Sequence, residues 1–164
     1  DVGNVTYREV TGLSAGTRYY YRVRAYNTVT TSANSSYFSQ YTCPSAPTAL
    51  SATSLTTTSF QANWGAVGGA TGYQLDVSTE NDFATFVSGY NNVYTTALYR
   101  AVTGLNPGTV YYYRVRATNT GGASDNSNTI TVTTPFTVPT ANAAGRGAPS
   151  SRSRHLRTPG STSR

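Results

Sequence analysis

A long internal repeat constrains this chain more than any other feature. Residues 7–28 read YREVTGLSAGTRYYYRVRAYNT, and residues 99–120 read YRAVTGLNPGTVYYYRVRATNT, with 17 of 22 positions identical at an offset of 92. The match continues more thinly, with Ser32, Asn34 and Ser35 answering Ser124, Asn126 and Ser127. A solenoid unit repeats every 20–50 residues or so, whereas 92 is the length of a whole small β domain. A chain of 164 residues therefore has room for one such unit and part of another.

Around the second copy, short stretches of alternating hydrophobicity are separated by turn residues. Ala49–Thr53 follows Pro44 and Pro47. In Ser59–Trp64, Phe60, Ala62 and Trp64 share a face, with Gln61 and Asn63 opposite. Tyr73, Leu75 and Val77 alternate with Gln74, Asp76 and Ser78. Further strands are expected at 85–93, 98–102, 110–118 and 124–134. In the stretch after Gly108, Tyr111, Tyr113, Val115 and Ala117 fall on the inward face, and Tyr112, Arg114 and Arg116 on the solvent side. No segment shows sustained helical periodicity. About seven short strands in 90 residues predict an all-β sandwich.

The segment Leu105-Asn106-Pro107-Gly108-Thr109-Val110-Tyr111-Tyr112-Tyr113-Arg114-Val115 resembles the E–F corner and F strand of a fibronectin type III domain. The resemblance implies an immunoglobulin-like, seven-stranded Greek-key sandwich. It implies a tyrosine corner at Tyr111 and, in the first copy, at Tyr19, and it makes Trp64 the strand-B tryptophan. Structural roles are expected for Trp64, Tyr73, Leu75, Leu105, Gly108, Tyr111, Tyr113 and Val115, and for Leu13 and Tyr19. The resemblance gives a complete module at 45–135, preceded at 1–44 by the C-terminal half of another. The Gly-, Thr- and Tyr-rich flavour is similar to modules found in tandem in secreted bacterial proteins, which implies an extracellular location. No Arg-Gly-Asp tripeptide is present, so integrin binding does not carry over.

The first copy is expected to keep E-, F- and G-like strands while lacking the sheet that would bury Tyr19, Tyr21 and Val23, and so to be marginally ordered. With Asp1 at its start and no Met, the chain reads as a processed or excised piece. Residues 136–164 have little apolar content and no periodicity, which predicts a disordered basic tail. Three readings of it stand side by side: a basic tail for an acidic partner, a solvated linker, and a translated cloning polylinker, which Pro159-Gly160-Ser161-Thr162-Ser163 resembles.

The net charge of +6 belongs to that tail. All 12 basic residues are Arg, and Arg146, Arg152, Arg154, Arg157 and Arg164 lie beyond residue 140. The first 140 residues carry the other seven Arg against six acids, a net of +1, which argues against nucleic-acid binding by the body. Arg8 and Arg100 share strand phases with Val10 and Val102, so each is expected near a strand end with its head group in water. Cys43 is alone, so no internal disulfide forms.

No reactive constellation is visible. The single His is His155, in the tail, and there is no Lys. A nucleophile–His arrangement, a Ser–Lys pair and a zinc set are thus excluded from the body. Asp76, Glu80 and Asp82 match no calcium loop and are expected to be solvent-facing polarity beside a turn. Tyr20 and Tyr112 are expected outside, with Tyr90, Tyr94 and Tyr99 nearby; exposed rings could stack on sugars, although cross-strand shielding accounts for them more simply. Neither Gly68-Gly69 nor Gly121-Gly122 opens a helix after a strand, so neither is a phosphate loop.

The expected function is that of a non-catalytic spacer or adhesion module of an extracellular protein, without a cofactor or a membrane span. Its partners would be neighbouring modules of the same chain, with a polysaccharide or cell-surface protein as further candidates. The alternative is a carbohydrate-binding accessory module of a secreted hydrolase.

Overall fold

The alternating stretches pair into antiparallel ladders whose apolar faces meet. The computed structural model describes residue 3 and residues 5–138. Its strands are β1 (Arg18–Tyr21), β2 (Phe38–Tyr41), β3 (Ala49–Thr53), β4 (Ser59–Trp64), β5 (Gly72–Ser78), β6 (Val93–Thr95), β7 (Tyr99–Thr103), β8 (Val110–Asn119), β9 (Gly122–Ala123) and β10 (Ile130–Thr133). Among the described residues there is no helix, and so none long and apolar enough to cross a membrane. The tail beyond residue 138, with His155 and its five Arg, lies outside the described residues.

Residues 49–133 form two facing sheets. One has the order β3-β4-β7; the other runs β10-β8-β5-β6, with β9 also on β8. The predicted inner faces meet. Phe60, Ala62 and Trp64 of β4 are buried against Tyr73, Leu75 and Val77 of β5 and Tyr111, Tyr113, Val115 and Ala117 of β8. Phe60 stacks on Tyr113 at 5.8 Å between ring centroids, and Trp64 tilts against Tyr73 at the same spacing. Val102 and Leu105 complete the core from β7 and the turn after it. Asn128 closes one edge, its side chain donating to the Ala49 carbonyl and accepting from the Ala49 N–H. Arg100 is exposed and Val102 is buried, so the guanidinium reaches water from the same strand.

Three expectations need correction. Residues 85–92 are not a strand. They belong to a loop in which Phe83 and Asn92 adopt positive φ, and Val87 and Tyr90 bond the backbone of Val77 around a tight turn. Only Val93–Thr95 joins the ladder.

The last strand is split. Between β9 and β10 the N–H groups of Ser124 and Ser127 donate to the carbonyls of Ala117 and Val115, while the serine hydroxyls accept the N–H groups of those same residues. Side-chain oxygens take the place of backbone carbonyls, and the regular ladder lapses there.

In the first copy the E-like strand is missing. Residues 7–11 form no strand; among the described residues of this copy the one strand ladder is β1 with β2, followed by a single bridge between Tyr26 and Thr31. The counterpart of residues 7–11, β7, is held by β4, and the first copy has no equivalent of β4 among the described residues. Leu13, expected in a core, is therefore 40% exposed, whereas its mate Leu105 is 4% exposed.

Candidate functional site

The side chains with most chemical potential lie on the outer face of β5 and β8. β5 is buried along nearly its whole length, including the side turned away from the core. Asp76 is 1% exposed, which corrects the expectation that it faces solvent. Its carboxylate accepts from Arg114 Nε at 3.2 Å, Arg116 at 3.3 Å and the backbone N–H of Asn92 at 2.8 Å. Arg116 also donates to the Asn92 side chain. The Arg114 guanidinium lies 4.0 Å from the Phe83 ring centroid. The loop at 79–92 thus folds back over the sheet and roofs an ion triad. The two Arg side chains keep about a quarter of their exposure, less than their solvent-side phase implied.

Glu80 and Asp82 do not join that cluster. Glu80 accepts from the N–H and hydroxyl of Thr85, and Asp82 accepts from the N–H of Ala84. The three carboxylates therefore serve separate sets of bonds, Asp76 across the sheet and Glu80 and Asp82 within their own loop. Among the described residues no three His, Cys, Asp or Glu side chains gather as a metal site would require.

Each expected tyrosine corner is present as a bond. Tyr111 Oη accepts from the Asn106 N–H, and Tyr19 Oη accepts from the Ser14 N–H, both at 2.9 Å and both five residues upstream. Gly108 has φ +62°, a left-handed value that glycine adopts without strain. Trp64, Tyr73, Leu75, Leu105, Tyr111, Tyr113 and Val115 are buried together, and Tyr73 Oη accepts the Val67 N–H. Tyr113 Oη reaches the Leu50 carbonyl and takes a bond from the Asn63 N–H, linking the two sheets. Burial pushes its phenol pKa above the ordinary value, with the Asn63 bond pulling the other way.

The outward tyrosines do not form a platform. Tyr112 has the outward phase but is half-buried between its neighbours Ser78 and Thr131. Tyr20 is more exposed, yet Arg18 lies over its ring at 5.1 Å and Tyr37 meets it edge-on at 5.8 Å. Tyr90 bonds Thr103, Tyr94 lies across Gly72, and Tyr99 belongs to the other sheet. The Asp76 triad is the feature missed in sequence. The only signal for it was an acid on β5 two residues from the strand end and paired Arg on β8.

Two facing antiparallel sheets with these strand orders define an immunoglobulin-like β-sandwich module. The family model for the fibronectin type III domain matches residues 45–133, more than half of the chain, and the chain belongs to that family. Similar solved structures include a fibronectin type III domain of the human KIAA0970 protein, 14% identical with a TM-score of 0.50, covering 73% of this chain and 86% of that one. A human fourth FNIII domain is 25% identical with a TM-score of 0.50, covering 62% and 91%. The FN1–FN3 domains of chicken CNTN1 are 21% identical with a TM-score of 0.49; 78% of this chain aligns, and it spans 46% of that structure. No curated protein sequence matches the chain. Fibronectin type III domains are typically non-catalytic modules of multidomain proteins that mediate protein interactions, and they are commonly extracellular.

Proposed function

We propose that the chain is a stretch of a tandem array that spaces and presents other parts of a secreted bacterial multidomain protein. In this reading residues 1–44 are the C-terminal half of one module and 45–135 are a complete module. Its partners are the neighbouring modules, and it carries out no catalysis. One observation supports it most: the serine bonds that follow the F strand are the same in both copies. Ser32 and Ser35 exchange paired bonds with Ala25 and Val23 as Ser124 and Ser127 do with Ala117 and Val115. The serine hydroxyls donate onward to Ala33 and Ser36, as they do to Asp125 and Asn128. Repetition at this level, around no shared reactive group, fits a module used for its shape.

A glycan array tests the reading. The spacer role predicts no saturable binding by the folded chain. Binding that disappears in Tyr112→Ala would contradict it and favour a carbohydrate-binding accessory module.

A further inference from the structure

Where the first copy meets the second, backbone touches backbone at three glycines. A Cβ added to Gly16 would fall on the carbonyl oxygen of Gly68, and one added to Gly69 on the carbonyl oxygen of Gly16. A Cβ at Gly121 would fall on the carbonyl oxygen of Tyr41. Hydrogen bonds seal this contact. Asn119 Nδ2 donates at 3.0 Å both to the Thr42 carbonyl of the first copy and to the Gly69 carbonyl of the second. Asn119 Oδ1 meanwhile accepts the Gly121 N–H, which fixes the amide's orientation. Cys43 Sγ donates to the Gly121 carbonyl, and Gln40 reaches that of Thr120. The end of the first copy made by its E–F corner and last strand thus sits on the Gly-Gly loop and F–G turn of the next.

The same end is rebuilt at the far side of the second copy. Thr42 Oγ1 accepts from the Thr17 N–H at 3.0 Å and donates to the Ser14 carbonyl at 2.7 Å. Thr134 Oγ1 makes the equivalent bonds with Thr109 and Asn106 at the same two distances. The Gly16 N–H bonds the Cys43 carbonyl, and the Gly108 N–H bonds that of Pro135. Gly16 and Gly108 have φ +61° and +62°. Where Gly16 meets the Gly-Gly loop, Gly108 is covered by the ring of Phe136, which is itself 79% exposed.

We infer that this end of the module is a docking surface for the next one, and that the surface at Gly108 and Pro135 receives a further module of the same kind, whose Gly-Gly loop displaces Phe136. The inference rests on the tandem reading and adds to it a joint of fixed orientation. It also makes the joint selective. The turn that corresponds to residues 119–122 in the first copy is Asn27-Thr28-Val29-Thr30, with Val29 where Gly121 stands. A side chain there would meet the docking carbonyl, so that turn does not accept a preceding module in the same way.

The test extends the full chain by repeating residues 45–135 directly after Phe136, which keeps that ring at the joint and preserves the period of 92. Residual dipolar couplings then report the orientation of the two complete modules. The expected result is one shared alignment tensor, which splits into two when Gly121→Val is placed in the appended copy alone. Asn119→Ala there serves as a second variant that leaves the turn's glycines intact and is expected to split it too. Independent tensors without substitution, or a shared tensor surviving both variants, would overturn the joint and leave the spacer role standing. An appended copy that failed to fold would count against the tandem reading itself.

Discussion

Asp76 shows what one residue can do in a charge-poor chain. Removing an isolated carboxylate from a surface costs little, but Asp76 is buried and answers two guanidiniums and the Asn92 N–H. Asp76→Ala should destabilise the sandwich by about 2–3 kcal/mol, somewhat below the usual cost of breaking a fully buried pair, because both Arg heads reach water. Urea denaturation followed by Trp64 fluorescence measures this. Tyr113 predicts a pH effect. Its pKa is raised in the folded state, so the fold holds that proton more tightly than the unfolded chain does. Its contribution is therefore complete below about pH 10 and is lost as pH rises through the raised folded value. Stability measured from about pH 8 to 11 should fall at the alkaline end, and less steeply in Tyr113→Phe. The inward phase of Tyr113 was legible from alternation alone. The burial of Asp76 was not, because its roof is a loop whose path is set by contacts that local pattern does not encode.

At the level of elements, the same tyrosine-corner bond sits in two different settings. Tyr111 lies in a closed core, and Tyr111→Phe leaves the Asn106 N–H without its acceptor. This should cost about 1–2 kcal/mol in the main unfolding transition. Tyr19→Phe removes the matching bond from a two-stranded ribbon and should leave that transition unmoved, since such a ribbon has little independent stability. Paired thermal melts distinguish the two. Strands β4, β5 and β8 were readable because each alternates clearly in sequence and is bounded by turn residues, whereas β3 was marked by the prolines before it. The break between β9 and β10 was hidden because Ser124 and Ser127 are compatible with strand alternation. What they do instead, replacing backbone acceptors with hydroxyls, depends on where β8 lies. The expected strand at 85–93 failed because β-branched content there outweighed the turn chemistry of Gly89, Asn91 and Asn92, two of which take positive φ.

For the molecule as a whole, the two copies share a sequence and differ in what covers it. Tyr113 and Val115 are at most 1% exposed, while their mates Tyr21 and Val23 are 57% and 69% exposed. The same seven residues, at 19–25 and at 111–117, thus have a facing sheet in one copy and, among the described residues, none in the other, and no propensity scale distinguishes them. The repeat made the duplication legible; the loss of the E-like strand became visible only when its missing neighbour was considered. A self-sufficient core forms around β8 and not around β1. Native-state hydrogen exchange measures it residue by residue, because amides in a closed core open only with global unfolding. Amides at 111–117 should exchange at the global limit and those at 19–25 orders of magnitude faster; equal protection of the two segments would mean that β1 has a closed core of its own.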